Sequence, residues 1–167
     1  MLKTKHIIVG LLLILSGCTE PTGVLEYDYT KVFTGGDKKS WKIRTVEIVR
    51  SGKGTLTIPA EYFFDDEDET CLSDDVYTFF ANSERAYQVT EGATKCNDTD
   101  PDIKYDGSWS FVNSAAVLTI KVPALYEDSA LPFIVYTAND NELVLDIYID
   151  ELNKNNYRLN FRPTGTD

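Results

Sequence analysis

The stretch ELVLDIYID, residues 142–150, constrains this chain more than any other feature. Leu143, Leu145, Ile147 and Ile149 alternate with Glu142, Asp146, Tyr148 and Asp150. Successive side chains of a strand point to opposite faces, so this period of two predicts one buried and one wet face. NYRLNFR repeats it, with Tyr157, Leu159 and Phe161 against Arg158, Asn160 and Arg162. AVLTIKV sets Leu118, Ile120 and Val122 against Thr119 and Lys121. Turn residues punctuate the runs at Asn82-Ser83, Asp106-Gly107, Asn113-Ser114, Asn139-Asp140-Asn141 and Asn153 to Asn156. The pattern predicts strands near 41–50, 75–82, 86–92, 105–112, 116–122, 132–139, 142–150 and 155–163. The first changes phase between Ile43 and Val46, which predicts a bulge. No stretch reads as a long amphipathic helix. The expectation is an all-β, eight-stranded antiparallel up-and-down barrel, with a β-sandwich as the alternative.

The beginning of the chain is of another kind. Lys3 and Lys5 precede an apolar run, Ile7 to Leu15, that is too short for a bilayer span of about 20 residues. A charged start, a short apolar core and small residues after it make a secretory signal. Leu15-Ser16-Gly17-Cys18 resembles the lipobox of bacterial lipoproteins, in which the cysteine receives a diacylglycerol and the chain is cut before it. An ordinary signal with an incidental cysteine is the alternative. The expected domains are a signal peptide at 1–17, a lipidated tether at 18–39 and a barrel at 40–167. Tyr27, Tyr29 and Phe33 in the tether are candidates to dock on the barrel. Acyl chains such as palmitate on Cys18 imply a membrane partner. Thr19 behind it implies the outer membrane of a Gram-negative bacterium, on its periplasmic or surface face.

Charge and composition narrow the function. Loss of residues 1–17 removes two lysines and none of the 27 acidic residues, moving the net charge from −11 to about −13. So acidic a chain does not suit nucleic acid, whose phosphates need a basic face. The one histidine, His6, leaves with the signal. Without it, Ser-His-Asp and Cys-His nucleophiles and histidine-ligated metal sites are excluded. A non-enzymatic protein without a cofactor is expected. Oligomeric state leaves no mark in the sequence.

Cys71 and Cys96 are the even pair left once Cys18 is lipidated. In an exported chain they predict a disulfide fastening one barrel end, two free thiols or a metal pair being the alternative. Two acidic runs flank them: DDEDETCLSDD and NDTDPDIKYDG. Asp98, Asp100 and Asp102 alternate as at the start of a calcium loop, but Ile103 and Trp109 stand where that loop needs glycine and glutamate. The plainer expectation is two solvated loops and no metal. Paired carboxylates also serve glycoside hydrolysis, but these lack the apolar pocket that would raise one pKa.

FTGGDKKSWKI, CLSDDVYTFF, ATKC and DGSWSF, followed by the closing alternating strands, resemble the lipocalin-like domains of Gram-negative lipoproteins. The resemblance spans about residues 33–163. It implies an eight-stranded barrel on a lipid tether and no particular ligand. Lipocalins proper place Gly-x-Trp at strand one and cover that tryptophan with a late arginine. Here Lys39-Ser40 precede Trp41, Gly107-Ser108-Trp109 lies mid-chain, and the alternation points Arg162 away from Trp41. Two functions fit. One is a binding module for a small apolar or sugar-like ligand, walled by Trp109, Phe111, Leu145, Ile147, Leu159 and Phe161. The other is a structural or protein-interaction module with a filled barrel, which the bulk of Phe79, Trp109, Phe111 and Phe161 favours.

Overall fold

The structure, a computed structural model, describes residues 26–65, 71–112, 116–126, 128–150 and 155–164. The signal, Cys18 and the first part of the tether lie outside these residues, as do Asp66 to Glu69 of the first acidic run. A helix, α1 (Glu26–Thr34), leads into β1 (Lys38–Arg50), β2 (Gly54–Pro59) and a single turn of helix, α2 (Ala60–Phe63). Then come β3 (Val76–Phe80), β4 (Ala86–Thr90), β5 (Ile103–Ser108), β6 (Ser110–Phe111), β7 (Val117–Ile120), β8 (Leu131–Asn139), β9 (Glu142–Asp150) and β10 (Asn155–Pro163). Every pairing is antiparallel, in the order β5-β4-β3-β1-β10-β9-β8-β7-β6, with β2 added on β1. The two ends of that path, β5 and β6, are joined by Trp109 alone. The sheet is therefore a nearly closed barrel, and a sandwich is excluded.

The strand count is ten rather than eight, for two local reasons. The predicted strand 105–112 breaks where the Trp109 N–H leaves the ladder and donates to the Arg85 carbonyl at 3.0 Å. β2 is additional. It pairs with the far half of β1, from Thr45↔Pro59 to Arg50↔Gly54, while β3 takes the near half, Lys38–Trp41. The bulge falls where the phase change put it, as a register shift against β10 between Ile43 and Thr45. Trp41, Ile43 and Val46 all stay buried as a result.

The stretch assigned to the tether is in part core. Phe33 of α1 is fully buried and meets Phe79, Trp109 and Phe111 with ring centroids 5.4–5.9 Å apart. Tyr29, one turn earlier, packs on Phe111 at 5.7 Å. The packed unit thus begins within α1, well before residue 40. Gly35 (φ +62°) ends the helix in a left-handed conformation, its N–H donating to the Lys31 carbonyl at 2.8 Å. Lys39 completes the closure. Its Nζ donates to the carbonyls of Val32 (3.4 Å) and Asp140 (2.8 Å) and lies 4.3 Å from the Trp41 ring centroid. The cation over Trp41 is therefore Lys39. Arg162 binds Glu142 at 3.0 Å and the Asn141 carbonyl at 3.1 Å instead. The indole N–H of Trp41 donates to the Phe33 carbonyl at 3.0 Å, tying strand one to the helix that plugs this end.

Cys71 and Cys96 are bridged, with Cα atoms 5.1 Å apart. The bond joins the loop before β3 to the loop after β4, at the end away from α1. It closes a loop of 25 positions, which in the chain-entropy treatment stabilises by about 3.5 kcal/mol. Changing both cysteines to serine should lower the urea-unfolding free energy by roughly that amount. A loss under about 1 kcal/mol would mean that the loops hold together without the bond.

Candidate functional site

At the end opposite α1 the inward-facing rows stop being apolar. On β3 the row runs Phe79, Tyr77 and then Asp75; on β4 it runs Tyr87, Val89 and then Glu91. All six are buried. Lys104, near the start of β5, reaches between the two carboxylates. Its Nζ donates to Asp75 Oδ1 at 3.2 Å and Oδ2 at 3.1 Å, and lies 3.4 Å from Glu91 Oε1. That last contact is an ion pair without hydrogen-bond geometry. Among the described residues no group donates to either Glu91 oxygen. Burial pushes the Asp75 carboxyl up to about 7, against the opposing pull of Lys104, and Glu91 and Asp74 add to the rise. Burial likewise drives the phenols of Tyr77 and Tyr87 well above their ordinary value, which keeps both neutral.

The barrel wall has a seam here, because β5 and β7 share no backbone ladder. Side chains stitch it. The Tyr87 hydroxyl donates to the Lys121 carbonyl at 2.8 Å, and Lys121 Nζ lies 5.1 Å from the Tyr105 ring centroid. A cavity of about 310 Å³ opens on the seam, lined by Glu91, Asp100, Pro101, Lys104, Lys121 and Pro123. A second cavity, of about 290 Å³, lies along the same rim between Leu125, Tyr126, Leu131, Pro132, Ile147 and Tyr148. The first is charged and the second apolar.

The acidic loops around the seam are built structures rather than merely solvated. Asp65 Oδ1 accepts the N–H groups of Leu72 and Ser73, each at 3.0 Å. Asp74 Oδ2 accepts those of Ala93 (2.7 Å) and Thr94 (2.9 Å). Gly92 is required by this contact, since a Cβ there would stand 2.3 Å from the Asp74 carbonyl oxygen. Asp98, Asp100 and Asp102 do not converge. Asp100 Oδ2 accepts from the Asn97 backbone and side-chain amides at 2.9 and 3.2 Å, and Asp102 pairs with Lys95 at 2.6 Å. The group close enough to share an ion among the described residues is Glu91, Cys96 and Asp100. Cys96 is in the disulfide, so its sulfur is no thiolate ligand.

The six residues expected to wall a ligand fall mainly in the core. Trp109, Leu145, Ile147, Leu159 and Phe161 are buried, and Phe111 is half-buried beneath α1. Trp109 meets Phe111 edge-on at 5.8 Å, and Phe161 meets Tyr77 edge-on at 5.5 Å. Of the six, Ile147 borders one of the two rim cavities. The charged cluster was not expected. Its signal was in the alternation, where Asp75 and Glu91 hold the inward phase of rows otherwise made of Tyr, Phe and Val.

The family model for the lipocalin-like domain matches residues 27–145. No curated protein sequence matches the chain significantly. The matched stretch starts in α1, takes in the plugging Phe33 and the disulfide, and runs into β9. With that match over most of its length and a nearly closed antiparallel barrel to accompany it, the chain belongs to the lipocalin-like domain family.

Proposed function

We propose that this protein is a lipid-tethered, non-enzymatic binding module that takes up a small apolar or sugar-like ligand at the open rim of its barrel. The observation that carries the reading is the apolar cavity of about 290 Å³ between Leu125, Leu131, Pro132 and Ile147, edged by the rings of Tyr126 and Tyr148. Aromatic faces beside aliphatic side chains suit an acyl chain or the apolar face of a sugar. The cavity sits near the lower limit of ordinary ligand sites, so the ligand is small or inserts one end. Catalysis is disfavoured by the lack of any histidine after His6. Cys18 supplies the anchor, and two or three acyl chains hold a protein to a bilayer almost permanently.

Laurate and maltotriose, added to the full chain in detergent, are the first probes. One of them should raise the melting temperature, and Tyr148→Ala should weaken that response about tenfold. The anchor is tested apart, by fractionation: Cys18→Ala should move the protein out of the outer membrane or leave its signal uncut. Unchanged fractionation and processing would remove the anchor from the reading. No thermal response to either probe would favour the second reading, an interaction module. Its support is the packed interior and the exposed Ile134, Tyr136 and Tyr148 on the outer wall of β8 and β9.

A further inference from the structure

We infer that the seam cavity between β5 and the segment after β7 binds a small aliphatic amine, whose ammonium group donates to Glu91. This site is separate from the apolar rim cavity and takes a ligand of opposite chemistry. Three observations carry it. Glu91 faces inward with only 3 % of its side chain exposed, and among the described residues nothing donates to either of its oxygens. Glu91 is among the residues lining the cavity of about 310 Å³, with its two unmet oxygens buried behind that lining, next to a space that a ligand can enter. A buried carboxylate without donors is costly, and a ligand that supplies N–H groups removes that cost.

The charge balance selects a cation. Above about pH 7, where Asp75 is ionised, Asp75, Glu91 and Asp100 stand against Lys104 and Lys121, while Asp102 is matched by Lys95. Lys104 gives its hydrogen bonds to both Asp75 oxygens, and Lys121 Nζ lies over Tyr105, so neither serves Glu91 with a hydrogen bond. One carboxylate is left over. Asp100 uses Oδ2 on Asn97, and its Oδ1 is a second acceptor for the same ammonium. Pro101 and Pro123 offer aliphatic walls for a short methylene chain. A bare metal ion fits less well. Calcium asks for six to eight oxygens, and Cys96 is oxidised. The net charge of −11 also draws cations toward the molecule.

The test uses the full chain in detergent, with 1,4-diaminobutane as the probe and 1,4-butanediol and calcium chloride as controls at constant ionic strength. The diamine at 10 mM should raise the melting temperature by several degrees, and neither control should match it. Its amide shift changes in the NMR spectrum should centre on Glu91, Asp100 to Lys104 and Lys121. Glu91→Gln should keep the fold and lose at least tenfold in affinity for the diamine. Should that variant fail to fold, the wild-type shift map decides alone. The inference is overturned by no response to the diamine, by an equal response to the diol or to calcium, by shift changes elsewhere, or by unchanged affinity in Glu91→Gln.

Discussion

Replacing Phe33 by alanine is expected to destabilise the protein by about 3–5 kcal/mol, the range for removing a buried phenylalanine. The residue is fully buried although it belongs to a short helix before the first strand. Its ring touches Tyr29, Phe79, Trp109 and Phe111, which come from α1, β3, the β5–β6 corner and β6. These four cannot all move in to fill the space, because Phe79 and Trp109 are fixed by their strands and by each other at 5.9 Å. The main-chain contact from the Trp41 indole to the Phe33 carbonyl is indifferent to the side chain. Loss in the variant therefore reads the packing of the ring. Phe33→Leu, which keeps most of the volume, should lose less than half as much. Urea unfolding of the two variants and the parent checks this. A Phe33→Ala loss below about 1 kcal/mol would return α1 to the status of a tether resting on the barrel.

The reason α1 escaped the sequence is physical. EYDYTKVFT mixes β-branched and aromatic residues, has weak helix propensity and is too short to stand alone. It exists because Tyr29 and Phe33, four residues apart, cover the barrel end, which is a tertiary cause. The local sign was Gly35, whose positive φ ends the helix. β2 was missed for the converse reason. Thr55, Leu56, Thr57 and Ile58 alternate after the Gly52 to Gly54 turn, but the run is only four residues long, and the strand it forms is almost wholly exposed. The strands with a buried face were legible: Leu143, Leu145 and Ile147 on β9 and Leu159 and Phe161 on β10 lie inside as the alternation required. The same period, followed one residue further, leads to the charged cluster. Asp75 ends the first acidic run and Glu91 lies near the end of the expected strand 86–92, and both hold the interior phase. Lys104 carries no such mark, since it meets them only through the β4–β5 pairing and its register shift at Thr90.

Stability is expected to fall as pH rises from 5 to 8, and Asp75→Asn is expected to remove much of that fall. The folded-state carboxyl of Asp75 titrates near 7, against 3.8 for an unhindered aspartate. A raised acid binds more protons folded than unfolded between those values, so its protonated form stabilises below the lower one and that advantage is lost through the higher one. Each unit corresponds to about 1.4 kcal/mol, so the two units from pH 5 to 7 amount to about 3 kcal/mol, with little further change above. The cause is burial first: Asp75 is wholly inaccessible, and Lys104, shared with Glu91, offsets only part of the desolvation. Asparagine keeps the shape and an acceptor for Lys104 but never ionises. At pH 5 the variant should lie close to the parent, and by pH 8 it should be the more stable of the two by roughly 2–3 kcal/mol. Other carboxylates add their own slopes to both proteins, and these cancel in the difference between them. A difference that stays constant from pH 5 to 8, or an asparagine variant less stable than the parent at pH 8, would show that Asp75 is ionised and matched by Lys104 throughout. The open end of the barrel would then rest on a satisfied ion pair, with both Glu91 oxygens still without a donor among the described residues.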